Sequence, residues 1–136
     1  MVAYRLANKN VLIIGGGKEA TGRVYLSLDS NAIVTILCPT SGLSSDIKKY
    51  RIQTHQVEHL DKEYEEADLD RKPDWDCVLS CIDDVETSKQ IAAHCRRRKI
   101  PVNCADVPDA CDFWFMTQIR QGPLQVGFGD KDSNAS

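Results

Sequence analysis

The stretch NVLIIGGGKEA, residues 10–20, decides the fold. Its apolar run at 11–14 is typical of a central parallel strand that is covered on both faces. The glycines that follow predict a sharp turn, and apolar residues at helical spacing predict a helix over 18–28. A second strand, rich in β-branched residues, is predicted at 32–38. Strand, turn, helix and strand within about thirty residues make one βαβ unit.

The glycine turn fits the pattern G-x-G-x-x-A of dinucleotide-binding proteins, with Gly15, Gly17 and Ala20 at the defining positions. Gly15 lets the chain turn out of the strand, Gly17 lets the backbone approach a pyrophosphate, and Ala20 lets the helix pack closely. Free N–H groups at the start of the helix then face the anion. We therefore predict a site for a nicotinamide dinucleotide. The alternative is a glycine-rich turn that binds nothing.

The residues after the second strand leave the choice between NAD and NADP open. An acidic residue that binds the adenosine ribose is expected near Cys38, Pro39 and Thr40, but none stands there. No arginine is present for a 2′-phosphate either. The hydroxyl of Thr40 or Ser41 either contacts the ribose or caps the next helix.

Apolar runs and turn residues predict the remaining elements. The middle of the chain is predicted to form a short helix at 44–50, a third strand at 51–55 and an acidic loop or exposed helical turn at 62–70. A fourth strand at 75–82, a helix at 86–98 with Ile91, Ala92 and Cys95 on its inner face, and a fifth strand at 100–105 follow, and then strands at 113–115 and 124–128 joined by a turn at 121–123. This alternation predicts an α/β fold, a Rossmann-type doubly wound parallel sheet in a single domain over 1–129. The polar residues 130–136 are predicted to form a disordered tail.

Composition and charge are those of one globular domain, with 136 residues of which 42% are hydrophobic and 27% charged. A net charge of −3 gives no basic footprint for nucleic acid or an anionic membrane. Residues 1–6 carry no apolar leader, and no window approaches the roughly 20 apolar residues of a membrane helix. We therefore expect neither nucleic acid nor a membrane as a partner.

Six cysteines stand in the sequence, and none forms a CxxC pair. Several lie in apolar strand-like runs, where cysteine behaves as a small hydrophobic residue. We predict reduced, buried thiols, a cytoplasmic compartment and no bound metal. A zinc or iron site built from Cys77, Cys81, Cys104 and Cys111 is the less favoured alternative.

A second group of polar residues lies at 103–113, at the carboxyl end of the predicted fifth strand. Asp106, Asp109 and Asp112 fall within seven residues of one another. Ligands bind at this edge of an open α/β sheet, so these carboxylates could transfer protons or hold a metal. The alternative is structural, with Asp106 starting a turn and Asp109 or Asp112 capping a helical turn.

Three segments resemble the siroheme-synthase family: VLIIGGG at 11–17, VNCADVPDACDFWF at 102–115 and GPLQV at 122–126. That family includes the fungal-type precorrin-2 dehydrogenase/sirohydrochlorin ferrochelatase and the matching half of the bacterial siroheme synthase. The pattern VN-x-AD-x-P-x-x-CDF-x-F is much more specific than the glycine turn. The resemblance extends over nearly the whole chain, in the expected order.

The resemblance implies an NAD-dependent oxidation of precorrin-2 to sirohydrochlorin, followed in some members by insertion of ferrous iron. The family's aspartate falls on Asp106, implicated as the general base in both steps, since each requires protons to leave the macrocycle. A homodimer is a further expectation. The family also lacks an acid after the second strand. The residues assigned to NAD by the glycine pattern and the resemblance are Gly15, Gly17, Lys18, Glu19, Pro39 and Thr40.

The end of the chain departs from the family. There, the strand matching 124–126 continues into a stretch of serine or threonine and glycine, and helical regions complete the tetrapyrrole cleft. Here the residues GFGD, 127–130, follow instead. Two interpretations stay open: a dehydrogenase, completed where necessary by a partner chain, or an NAD-binding module without turnover. An unrelated small reductase is disfavoured, because no Tyr-x-x-x-Lys pair follows the fourth strand.

Overall fold

A parallel sheet of five strands forms the centre of the fold in the computed structural model, which describes residues 2–128. The strands are β1 (Asn10–Ile14), β2 (Ile33–Leu37), β3 (Glu58–Leu60), β4 (Cys77–Ser80) and β5 (Val102–Cys104). They lie in the order β3-β2-β1-β4-β5, and each neighbouring pair is parallel. This arrangement confirms the predicted α/β Rossmann-type sheet. The tail predicted at 130–136 lies outside the described residues.

Helices cover both faces of the sheet, because the central strands carry apolar side chains on either side. Helix α1 (Lys18–Asp29) shares an apolar cluster with Val11 and Ile13 of β1. Helix α2 (Val85–Arg97) shares a second cluster with Leu12 and Ile14 on the opposite face. The uninterrupted apolar run at 11–14 therefore belongs to a strand that is buried on both faces. The predicted inner face of α2 is confirmed by three buried residues, Ile91, Ala92 and Cys95.

The third strand lies later than predicted. Residues 51–52 end a helical turn of the π type (Ile47–Ile52), so the strand predicted at 51–55 is wrong. Ile47 is fully buried and Ile52 packs against the same cluster, so these apolar residues form a helix face. The turn overlaps the helix predicted at 44–50. Short 3-10 helices lie in other connections, at Thr40–Gly42, Glu66–Asp70 and Pro108–Ala110.

Two strands outside the sheet, β6 (Thr117–Gln121) and β7 (Leu124–Phe128), form an antiparallel hairpin. Gly122 adopts a positive φ of 56° in its turn. The strand predicted at 124–128 and the turn before it are confirmed. Because β6 and β7 pair only with each other among the described residues, they add no strand to the parallel sheet.

The strand predicted at 113–115 is wrong, because side chains rather than a neighbouring strand hold this segment. Asn103 Nδ2 donates a hydrogen bond to the Phe113 carbonyl at 2.9 Å. The Arg23 guanidinium lies 3.9 Å from the centre of the Phe115 ring, a cation–π contact that fixes the ring against α1. The aromatic run that indicated a strand therefore packs as an irregular segment.

The acidic stretch 62–70 folds around one buried carboxylate. Asp68 is only 2% exposed, so the exposed turn predicted here is wrong at this residue. Its oxygens accept hydrogen bonds from Lys62 Nζ at 2.8 and 2.9 Å, from Arg71 Nε at 3.0 Å and from the Glu65 backbone at 2.9 Å. Burial alone would raise the pKa of Asp68, but these bonds outweigh it and hold the pKa below its ordinary value.

We expect Asp68→Asn to lower the free energy of unfolding by about 2–3 kcal/mol, because it removes charge-assisted hydrogen bonds at a buried position. Urea unfolding measures the loss. Since folding lowers the pKa of Asp68, its contribution is present at neutral pH and is lost as the pH falls below about 4. The control is Asp74→Asn, whose carboxylate pairs with Lys72 where both side chains are about 80% exposed. This control should cost less than about 0.5 kcal/mol, and equal losses would contradict the assignment.

All six cysteines are free thiols, and the predicted burial is confirmed at Cys38, Cys77, Cys95 and Cys104. Burial raises the pKa of Cys77, Cys95 and Cys104 to about 12, so these thiols stay protonated at neutral pH. Within 2–128, no three histidine, cysteine, aspartate or glutamate side chains are grouped to hold a metal ion. The helices of that part of the chain are all too short or too polar to cross a membrane.

Candidate functional site

The predicted site residues follow the carboxyl ends of the strands, which meet at one edge of the sheet. The glycine turn follows β1, Pro39 and Thr40 follow β2, and Asp106 follows β5. The strand order reverses between β1 and β4, and open α/β sheets bind ligands at this point. The fold therefore brings the predicted cofactor residues and Asp106 to the same edge.

Gly15 is required by the turn itself. Its φ is +116°, a conformation that residues with a side chain rarely adopt. A Cβ at this position would lie 2.7 Å from the carbonyl oxygen of Cys81, in the segment after β4. The backbone N–H of Gly15 donates to Leu37 at 3.0 Å. The predicted role of Gly15, a sharp turn out of the strand, is consistent with this geometry.

Gly16, the variable position of the pattern, is equally restricted. A Cβ there would lie 2.9 Å from the Gly42 carbonyl oxygen and 3.0 Å from Cys38 Sγ. The Ser44 N–H donates to the Gly16 carbonyl at 2.6 Å. The loop after β2 therefore packs directly on the glycine turn. The middle glycine in GGG was the only sequence signal for this contact, and the dinucleotide pattern does not require a glycine there.

Gly17 leaves the N-terminus of α1 open. It is exposed, a Cβ there would meet nothing within 4 Å, and no side chain caps the helix. The first bond at this end runs from Thr21 N–H to the Gly17 carbonyl at 3.0 Å, so the N–H groups of Lys18, Glu19 and Ala20 have no partner among residues 2–128. Unpaired N–H groups beside an uncovered glycine are what a pyrophosphate requires. These residues therefore fit a dinucleotide.

Glu19, the acidic residue in the first turn of α1, forms an ion pair with a residue one turn further along the helix. Glu19 Oε1 lies 3.0 Å from Arg23 Nη2, one turn further on, and the Arg23 side chain is only 9% exposed. Because Arg23 partly compensates the negative charge of Glu19, the helix dipole at Gly17 keeps its attraction for an anion. Lys18 is exposed beside it and adds a positive charge to the same end.

The loop after β2 has two polar neighbours that sequence reasoning missed. The Thr40 N–H donates to Asp61 Oδ1 at 2.8 Å, and His59 Nε2 donates to the Cys38 carbonyl at 2.7 Å. Both partners come from β3 or the residue after it, 21 positions along the chain. Only the pairing of β3 with β2 brings them here, and no local sequence signal predicts that pairing.

Asp106 presents a free carboxylate at the end of β5. It is exposed, its φ is +62°, and its side chain makes no hydrogen bond within the described residues. Bonds on either side fix its backbone: Ala105 N–H donates to Ser80 at 2.9 Å and Val107 N–H donates to Cys104 at 3.2 Å. A left-handed conformation at a residue other than glycine costs about 1–3 kcal/mol and is often found at functional sites.

The segment around Asp106 carries the family-specific pattern at 102–115. Three of its side chains, Asn103, Cys111 and Asp112, form a clamp that holds it in place. Asn103 binds the Phe113 carbonyl as described, Cys111 Sγ accepts from Cys104 N–H at 3.2 Å, and Asp112 Oδ2 accepts from Val102 N–H at 3.0 Å. These contacts tie the segment after the loop back to β5. Asp112 therefore has a structural role.

The surroundings of the other two aspartates, Asp109 and Asp112, differ from those of Asp106. Arg96 Nη2 lies 3.5 Å from Asp112 Oδ1, which further engages that carboxylate. Asp109 is exposed in the helix Pro108–Ala110 and does not cap it. Of the three predicted carboxylates, Asp106 is the one that is both free of contacts and at the end of its strand. Its chemical role stays a prediction.

The chain is similar to known proteins over most of its length. Residues 2–117 match a protein family described as "Putative NAD(P)-binding". The siroheme biosynthesis protein met8 of Schizosaccharomyces pombe is 43% identical over 126 residues, which cover 93% of this chain and 47% of that protein. The siroheme synthase of Thioalkalivibrio sulfidiphilus is 31% identical over 125 residues, which cover 92% of this chain and 24% of that protein. The chain therefore spans about half the length of the first relative and about a quarter of the second.

The fold is also that of a solved structure. A protein named SirC, precorrin-2 dehydrogenase, superposes with a TM-score of 0.74 at 23% identity. The superposition covers 98% of this chain and 63% of that one. At this identity the likeness supports the fold.

Proposed function

This chain belongs to the NAD(P)-binding family that matches residues 2–117, and from this premise we propose that it binds NAD and oxidises precorrin-2 to sirohydrochlorin in siroheme biosynthesis. The observation that carries the proposal is the shared edge of the sheet, which holds both the open helix end at Gly17 and the free carboxylate of Asp106. The names of the similar proteins, concerned with siroheme synthesis and precorrin-2, support the substrate.

The chain's own residues account for binding the cofactor. The unpaired N–H groups of Lys18, Glu19 and Ala20 would hold the pyrophosphate, and Gly17 leaves room for it. Gly15 shapes the turn, while Pro39 and Thr40 would border the adenosine ribose. When bound, the nicotinamide accepts a hydride from the substrate.

Asp106 supplies the proton acceptor. Oxidation of the macrocycle removes one hydride and one proton, and a carboxylate at the reacting edge takes up the proton. The positive φ of Asp106 turns its backbone out of the strand line, and no neighbouring donor within 2–128 competes for its oxygens. Insertion of ferrous iron also releases protons from the macrocycle, so we extend the same role of Asp106 to a ferrochelatase step.

Two further proposals concern the setting of the protein. A reducing compartment, the cytoplasm, is supported by six cysteines that are all free thiols. A homodimer is supported by exposed apolar side chains in the C-terminal part of the described chain. These are Trp114, Leu124, Val126 and Phe128.

An NAD-binding module without turnover is the second candidate, and the exposure of the site favours it. Asp106 is exposed and Trp114 is 45% exposed, so the described residues leave the region of the carboxylate open to water. Enzymes exclude water when they close over a substrate. The two candidates share the cofactor site and differ only in turnover.

An anaerobic assay of the purified chain distinguishes the candidates. Precorrin-2 and NAD+ are supplied, NADH is followed by its absorbance at 340 nm, and NAD+ binding is measured separately by calorimetry. Turnover supports the dehydrogenase. NAD+ binding without turnover supports the module, and the absence of both would refute the proposal.

Gly17→Ala tests the cofactor site without disturbing the fold. Since a Cβ at Gly17 meets no atom within 4 Å, the free energy of unfolding should change by less than about 1 kcal/mol. The methyl group enters the space in which the pyrophosphate approaches the backbone, so the Kd for NAD+ should rise about tenfold or more. Gly22→Ala, in the middle of α1 and also unobstructed, is the control and should leave the Kd unchanged. Equal Kd values for the two variants would contradict the site.

A further inference from the structure

An acidic side chain lies beside the loop after β2, although that loop contains none itself. Asp61 follows β3 directly, and β3 pairs with β2 so that Leu60 stands opposite Leu37. The Cys38 N–H donates to the Leu60 carbonyl at 3.1 Å, and the Thr40 N–H donates to Asp61 Oδ1 at 2.8 Å. The carboxylate therefore occupies the neighbourhood in which dinucleotide-binding domains carry an acid at the end of the second strand.

The same loop is continuous with the glycine turn. The Ser44 N–H binds the Gly16 carbonyl at 2.6 Å, and the hydroxyls of Ser44 and Thr21 lie 2.7 Å apart. A Cβ at Gly16 would lie 2.9 Å from the Gly42 carbonyl oxygen. Because the adenosine ribose is linked directly to the pyrophosphate, a dinucleotide held at the end of α1 brings its ribose to this loop.

The carboxylate of Asp61 is exposed and forms no ion pair with a lysine or arginine among the described residues. The hydrogen bond from the Thr40 backbone lowers the pKa of Asp61, so the exposed carboxylate is ionised at neutral pH. The Thr40 side chain adds a second hydrogen bond to this carboxylate and lowers its pKa further. The adjacent Lys62 is held elsewhere by both oxygens of Asp68, and His59 donates its Nε2 proton to Cys38.

We propose that Asp61 sets the cofactor preference of this domain, accepting a hydrogen bond from the ribose 2′-hydroxyl of NAD and repelling the 2′-phosphate of NADP. This inference rests on the proposed dinucleotide site. It would account for a preference for NAD although no acid stands at the end of the second strand. The acid comes instead from the neighbouring strand.

Calorimetric titration of the purified chain with NAD+ and with NADP+ tests the inference. The wild-type chain should prefer NAD+. Asp61→Asn keeps an oxygen for the Thr40 N–H but removes the charge, so the ratio of the NADP+ Kd to the NAD+ Kd should fall about tenfold. Asp61→Ser shortens the side chain and should lower the ratio as well. Glu63→Gln, an exposed acid two residues away with no contact to Thr40, is the control and should leave the ratio unchanged.

The outcomes separate this inference from the proposed function. A wild-type chain that binds NAD+, with an unaltered ratio in both Asp61 variants, overturns the role of Asp61 and leaves the cofactor site standing. An equal change in Glu63→Gln also overturns it, because a general surface charge would then explain the preference. A wild-type chain that binds neither nucleotide overturns the cofactor site and this inference together.

Discussion

Gly15→Ala should destabilise the domain by about 4 kcal/mol, close to the entire stability of many small domains. Two costs combine at this residue. A side chain at φ +116° is strained, and the new Cβ would lie 2.7 Å from the backbone oxygen of Cys81. That oxygen belongs to the segment after β4, so relief requires β1 and β4 to move apart. Because these strands are at the centre of the sheet, the strain cannot be absorbed by a surface loop.

Urea unfolding followed by circular dichroism measures this effect. Gly22→Ala is the matched control, since it adds the same methyl group to an unobstructed position in α1. A helix-interior alanine should raise the free energy of unfolding by about 0.5–1 kcal/mol relative to glycine. If Gly15→Ala cost less than 1 kcal/mol, the close approach between the turn and Cys81 would be disproved.

Asp106→Asn should reduce dehydrogenase turnover by about 10²–10⁴-fold, the usual contribution of a general base. Asparagine tolerates the left-handed conformation that Asp106 adopts at φ +62°, so the loop should keep its shape. The substitution therefore removes the proton acceptor while leaving the fold and the Kd for NAD+ unchanged. NADH formation in the anaerobic assay and NAD+ titration measure the two properties separately.

Asp109→Asn provides the matched control for this experiment. Its carboxylate is exposed three residues further on, in the helix Pro108–Ala110, and caps nothing. Turnover of this variant should stay within a factor of about two of the wild type, because a surface charge contributes little. Full turnover in Asp106→Asn, or an equal loss in both variants, would remove Asp106 from the proposed chemistry.

The first βαβ unit could be predicted because its signals are local. The apolar run of β1, the glycines and the helical spacing of α1 all stand within about twenty residues, and each has one structural meaning. The third strand has no such signal. Glu58–Leu60 is a three-residue edge strand with one exposed and two half-buried residues, and only its pairing with β2 defines it.

The strand predicted from the aromatic run at 113–115 was wrong for a different reason. Its residues have the propensity of a strand, but contacts with Asn103 and Arg23 override that preference. Asp61 was missed because its partner, Thr40, is 21 residues away. Local patterns therefore predicted the turn that would hold a pyrophosphate, while the neighbourhood of the ribose depends on strand pairing that only the folded chain reveals.

The clamp of Asn103, Cys111 and Asp112 has a consequence for how relatives of this chain should be classified. The three clamp side chains hold the loop by bonds to the backbone, and none of these bonds involves Asp106. Architecture and chemistry are thus separable within one short motif. On our proposal, a homologue with all three clamp residues and asparagine at the position of Asp106 would be a pseudoenzyme with a fully formed loop. A motif search that weights every letter equally would count it among the catalysts, so the residue at that single position is the one to inspect.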